Sequence, residues 1–163
     1  MGEVSGNGTL RSGAVLAKLS WGLRSDPGPY RDHNEDFAGA FAPTIPDDAW
    51  DRGPVFVVAD GLGGHDAGEV ASRTAVDAVL DAWKSEAPGE PMRSLRAATR
   101  SANTAVLDRA WTDSHAGMAT TLTALTLAGR EAVIAHVGDS RAYLVRAETC
   151  RQLTADHSRV GEM

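Results

Sequence analysis

The segment Val55 to Ser72, VFVVADGLGGHDAGEVAS, restricts the fold more than any other part of this chain. Val55 to Ala59 is an unbroken apolar run of β-formers and reads as a strand buried on both faces. It stops at Asp60, a carboxylate held at the end of a rigid element. Gly63 and Gly64 then permit a tight reversal. Ala71, Ala75, Ala78, Val79 and Ala82 recur at helical spacing behind Asp66 and Glu69, which are placed as a capping box, so a helix is predicted over about 67–84. Pro91 opens a second apolar stripe through Met92, Leu95, Ala98, Ala102, Ala105, Val106 and Ala110, which predicts a helix to about residue 111. Thr120 to Leu127, Ala132 to Val137 and Ala142 to Val145 read as β segments joined by turns at Gly129 and at Gly138-Asp139-Ser140. Antiparallel hairpins are their simplest pairing. Strands, two helices and then successive hairpins point to an α+β class, with helices packed on a largely antiparallel sheet.

Composition excludes several functions. The chain has 163 residues, 42% of them apolar, which suits one domain or the greater part of one. Its 22 acidic against 16 basic residues, a formal net charge of -6, oppose a nucleic-acid surface, which needs clustered Lys and Arg. Cys150 is the sole cysteine, so neither an internal disulfide nor a Cys-based zinc site fits, and a reducing cytoplasm is expected. Met1 to Ser20 holds no apolar run long enough for a signal peptide or membrane helix. Residues 1–14, small, polar and rich in Gly, are expected to form a flexible tail ahead of a domain spanning 15–163. Pro43 and Pro46 mark a loop running to Gly53.

Three segments carry chemistry. Gly61 has no side chain to block an ion beside Asp60, so its carbonyl oxygen and the Asp60 carboxylate suit Mg2+ or Mn2+; the competing reading is a turn in which Asp60 caps backbone amides. A dinucleotide-binding glycine pattern fails here, because its sixth position is Asp66. Arg31-Asp32-His33-Asn34-Glu35-Asp36 gathers a guanidinium and three carboxylates. Arg31 suits a bidentate phosphate contact and Glu35 a cation, against the reading of a solvated charged loop. In His136-Val137-Gly138-Asp139-Ser140-Arg141, Asp139 is placed like Asp60, although Gly-Asp-Ser alone is an ordinary turn.

Taken together, RDHNED at 31–36, VVADGLGGHDAGEVAS at 57–72, GMATTLTAL at 117–125, HVGDSRAYLVR at 136–146 and QLTADHS at 152–158 resemble the type-2C, or PPM, metal-dependent protein phosphatases, in particular the bacterial members. The resemblance implies two antiparallel sheets sandwiched between helices, with Mn2+ or Mg2+ at one end, two or three ions in a complete domain. It implies hydrolysis of phosphoserine and phosphothreonine in proteins by metal-activated water, opposing a serine/threonine kinase, with no nucleic acid or membrane partner. By position, Asp60 resembles the carboxylate that bridges two metals, Gly61 a carbonyl ligand, and Glu35 the acid beside the second ion. Asp139 resembles a ligand of a third ion, and Arg31 the arginine on the substrate phosphate. Thr120 and Thr121 match a structural pair and are read as hydrogen-bonding groups within the sheet. His33, His65, His136 and His157 are read as capping, packing or supporting residues rather than ligands. Leu62 stands where eukaryotic relatives often carry a histidine, and Ala119 where bacterial ones show Gly. The chain stops at Met163, before two further aspartates of the family pattern, which leaves a non-catalytic interaction or decoy module of the same fold as the alternative.

Overall fold

A computed structural model describes residues 2–12, 15–30, 33–42, 53–63, 67–85, 89–112 and 115–157. In chain order the elements are β1 (Gly2–Ser12), β2 (Val15–Ser25), β3 (Asp36–Phe41), β4 (Val55–Leu62), α1 (Ala67–Ser85), α2 (Pro91–Thr112), β5 (Ala119–Thr120), β6 (Leu122–Ala128), β7 (Glu131–Val137), β8 (Tyr143–Arg146) and β9 (Thr149–Gln152). The fold is α+β, and every pairing among the described strands is antiparallel.

The central sheet has the order β3-β4-β6-β7, with β5 extending the pairing at the end of β4. α1 lies across β3 and β4, and α2 across β6 and β7. Val55, Val57 and Ala59 point at this helical layer and meet Ala71, Ala75, Val76, Val79, Leu95 and Ala98 in one core cluster. Trp83 closes the far end, 1% exposed, with its indole N–H donating to the Gly53 carbonyl at 3.2 Å.

The opposite sheet face is covered differently. Phe56 meets Trp21 of β2 edge to face, with ring centroids 5.8 Å apart, whereas Val58 stays 41% exposed. The expectation that the Val55 strand is buried on both faces therefore holds on the helical side alone, because the β1–β2 hairpin reaches Phe56 while Val58 remains open. The strand also runs past Asp60, to Leu62.

Two further expectations are corrected. The tail expected over residues 1–14 is largely strand: Gly2–Ser12 pairs along its whole length with Val15–Ser25. Gly and Ser lower intrinsic β preference, but the partner strand supplies the ladder and Trp21 stacks over Gly6, information that the first residues do not contain. The Gly138-Asp139-Ser140 turn does not join a hairpin: β8 pairs with β9, Val145 opposite Cys150, rather than with β7. Both predicted helices and the β6–β7 hairpin are found. Asp66, half of the expected capping box, lies outside the described residues. At α2 the cap is Glu90, whose carboxylate accepts the N–H groups of Met92 (3.0 Å) and Arg93 (2.9 Å) ahead of Pro91 as first helical residue.

Candidate functional site

The site lies where β3 begins and β4 ends. Antiparallel pairing sets Asp36 opposite Asp60, and the Gly61 N–H donates to the Glu35 carbonyl at 3.1 Å. Cross-strand partners share a face, so Asp36 and Asp60 turn away from the helices. They line a cleft of about 230 Å3 together with Arg24, Asp26, Val58 and Ser140. Glu35 turns the other way, towards the first turn of α1. There its Oε1 lies 2.8 Å from the place a Cβ on Gly68 would take, beside the partial positive charge of a helix N-terminus. A Cβ on Gly61 would run into the Gly68 carbonyl oxygen, so this strand and helix can meet so closely only through glycine.

Hydroxyl groups hold the Asp60 backbone. Its N–H donates to Thr121 Oγ1 at 2.9 Å, and its carbonyl accepts the Thr121 N–H at 2.9 Å and the Thr120 hydroxyl at 3.0 Å. Thr121 Oγ1 also stands 2.7 Å from Ser140 Oγ. The reading of Thr120 and Thr121 as sheet hydrogen-bonding groups matches these contacts. Nearby, His136 Nε2 lies 3.1 Å from the Ala155 carbonyl, which only accepts, so Nε2 carries a proton; in the neutral ring Nδ1 then accepts from the Thr123 hydroxyl at 2.9 Å. His136 is thereby a packing and bridging residue. His65 lies outside the described residues.

The segment after β9 is clamped to the Asp139 turn. Arg141 Nε donates to both carboxylate oxygens of Asp156, at 3.0 and 3.1 Å. This bidentate contact, with Gln152 adding a hydrogen bond, holds the Asp156 carboxyl below its ordinary value. At Asp26, the backbone N–H of Gly28 and the Arg24 guanidinium have the same effect.

Of the residues singled out by sequence, the structure brings the backbones of Glu35, Asp60 and Gly61 together, with the Glu35 and Asp60 side chains on opposite sides of the strand pair. Asp139 is exposed on the adjoining turn, and its neighbour Ser140 reaches the cleft. Arg31 lies outside the described residues. Asp36 carried no role of its own in the sequence. Its place beside Asp60 follows from strand register, which neither segment shows by itself. The donors are carboxylate and carbonyl oxygens, the chemistry that a hard divalent cation requires, and the glycines let β4, Glu35 and the first turn of α1 pack closely. They fit Mn2+ or Mg2+ as part of a shell. Among the described residues, no group of three or more His, Cys, Asp or Glu side chains lies close enough to hold an ion.

A family profile described as Protein phosphatase 2C matches residues 44–162. The serine/threonine phosphatase stp of Listeria welshimeri is 43% identical over 146 residues, covering 86% of this chain and 56% of that protein. The chain thus spans little more than half of that relative's length. Among solved structures, the Mycobacterium tuberculosis serine/threonine phosphatase PstP/Ppp superposes with a TM-score of 0.72 at 37% identity, covering 85% of this chain and 55% of that one. The catalytic domain of PstP in complex with two manganese ions superposes with a TM-score of 0.72 at 33% identity, covering 99% of this chain and 60% of that one.

Proposed function

The chain belongs to the protein phosphatase 2C family, and from that premise we propose that it supplies the strand end and acidic cleft of an enzyme that hydrolyses phosphoserine and phosphothreonine in proteins. The observation that carries this reading is Asp60-Gly61 at the tip of β4, with Glu35 hydrogen-bonded alongside and Asp36 opposite.

Glu35, Asp60, Gly61 and Asp139 are the residues proposed to hold Mn2+ or Mg2+, two or three ions in the assembled site. When bound, the ions lower the pKa of a coordinated water and place positive charge opposite the phosphoryl oxygens. The chain's own residues orient the reactants. Thr120 and Thr121 hold the Asp60 backbone at both its N–H and its carbonyl, which stops the carboxylate from drifting as charge develops. Arg31 is assigned to the substrate phosphate, where a guanidinium offers two parallel N–H donors. The substrates are phosphoproteins, the opposing activity is a serine/threonine kinase, and the setting is the cytoplasm. Among the described helices none is long and apolar enough to cross a membrane, and the net charge of -6 disfavours nucleic acid. The non-catalytic alternative is not favoured, because the relatives that the chain matches are named serine/threonine phosphatases.

The test joins this chain to the part of the Listeria relative that it does not cover and assays phosphothreonine peptides with Mn2+. Asp60→Asn is expected to lower kcat/KM at least about a hundredfold, roughly 2.7 kcal/mol of transition-state stabilisation. Arg31→Ala should lower kcat/KM with metal affinity nearly unchanged. Near-parental turnover by Asp60→Asn, with unaltered metal dependence, overturns the assignment.

A further inference from the structure

Asp139 sits on an exposed turn, yet both its neighbours are pinned. On one side, Gly138 has φ +106°, and a Cβ there would stand 2.6 Å from Thr121 Cγ2. Its carbonyl accepts the His157 N–H at 2.8 Å. On the other side, Ser140 Oγ meets Thr121 Oγ1 at 2.7 Å. Thr121 itself falls in the gap between β5 and β6, where its amide and hydroxyl bracket the backbone of Asp60. One side chain therefore touches the strand end that carries Asp60 and both flanks of Asp139. No strand ladder does this, because β7 pairs with β6 and not with β4.

We infer that Thr121 and Ser140 form a hydroxyl clasp that positions the Asp139 turn against the Asp60 strand end, so that the two carboxylates are offered to divalent metal as a preset pair. This rests on the metal-dependent reading above. The physical logic is entropic: with Gly138 and Ser140 held, Asp139 must order little more than its own side chain on binding, instead of a whole loop. The clasp requires neither hydroxyl to be a ligand. Thr121 Oγ1 already accepts the Asp60 N–H, and the bond to Ser140 survives whichever hydroxyl donates it. Both are positioning residues.

Two measurements on the chain test this: Mn2+ titration calorimetry, and amide hydrogen exchange in the metal-free state. Thr121→Val and Ser140→Ala should each weaken Mn2+ binding about tenfold or more, as losing a residue that orients a ligand does. The double variant should be little worse than either single one, while Thr121→Ser, which keeps the hydroxyl, should stay near the parent. In the metal-free variants, exchange should quicken at residues 138–141 and not along Leu122–Ala128. Parental Mn2+ affinity in Thr121→Val overturns the clasp. So does a loss shared by Thr121→Ser, or exchange that quickens uniformly, because each marks a merely structural role. A parent chain that binds no Mn2+ counts against the metal reading instead. The clasp is then judged on exchange alone, supported by local quickening and overturned by its absence.

Discussion

Gly61 was singled out from sequence because a missing side chain leaves room for an ion. In the structure the side-chain space at Gly61 is taken by the carbonyl of Gly68, pressed against it. Backbone on one side and Glu35 on the other leave a methyl group nowhere to go. Gly61→Ala is accordingly expected to cost at least about 1–3 kcal/mol, as overpacking does, read as a lower urea midpoint with unchanged slope. A variant as stable as the parent would mean that α1 can withdraw from β4 freely. The carboxylate at Asp60 was legible from its context, an apolar run of β-formers before it and a glycine-rich stretch leading into a helix after it, since Asp-Gly alone reads as an ordinary turn. Asp36 was not, because its significance is a register, and register is a relation between two segments. Thr121 was recognised as a hydrogen-bonding residue, but its reach to Ser140 depends on a turn 19 residues away.

Among the elements, the helices and the β6–β7 hairpin were easy to read, and the β1–β2 and β8–β9 hairpins were not. A helix writes its buried stripe into its own sequence, and those of α1 and α2 fall on Ala71, Ala75, Val79 and on Leu95, Ala98, Ala102. β1 contains no such stripe, since its order comes from β2. β8 and β9 are almost wholly exposed, so no apolar alternation marks their pairing. The clamp from Arg141 to Asp156 helps fix the segment that follows this hairpin, and it makes the hold on that segment sensitive to acid. The Asp156 carboxyl is depressed below its usual 3.8 in the folded chain. Its contribution is therefore present above the ordinary carboxylate range and is lost as pH falls from about 4 through the depressed folded value. Urea midpoints of the parent should exceed those of Asp156→Asn at neutral pH, and the gap should close in acid. A gap that is constant with pH would show that the carboxylate charge is not what holds the segment.

For the molecule as a whole, the layering decides how much of the site is present. Helices cover one sheet face and the β1–β2 hairpin part of the other, and the cleft opens at the sheet end where Asp36 and Asp60 meet. Without a group of three acids among the described residues, the chain is expected to hold Mn2+ weakly, in the high micromolar range or above, roughly as low-charge oxygen sites do. Joining it to the uncovered part of the Listeria relative should tighten binding by at least about tenfold. Calorimetry on the two proteins decides this, and equal affinities would mean that the described residues already form the full shell.

β3 runs away from the cleft from Asp36 to Phe41, and β4 returns to it from Val55. The connection at 42–54 thus leaves and rejoins the sheet roughly 17 Å from the acids, five strand steps away. This makes it a natural socket for cargo. A fluorescent reporter or affinity tag inserted after Pro46 lengthens a stretch that the sequence predicts to be a loop, whose closure cost grows by only about 0.6 kcal/mol per doubling, and Mn2+ affinity should survive it. A single residue inserted between Val57 and Val58 should not be tolerated, because the period-two alternation would swing Asp60 round to the helices. Calorimetric titration of the two insertions side by side gives the comparison. Equal losses would mean that the far end of the sheet is coupled to the acids, and equal tolerance that register does not aim Asp60. If both expectations hold, the molecule can be labelled at one end while its chemistry is followed at the other.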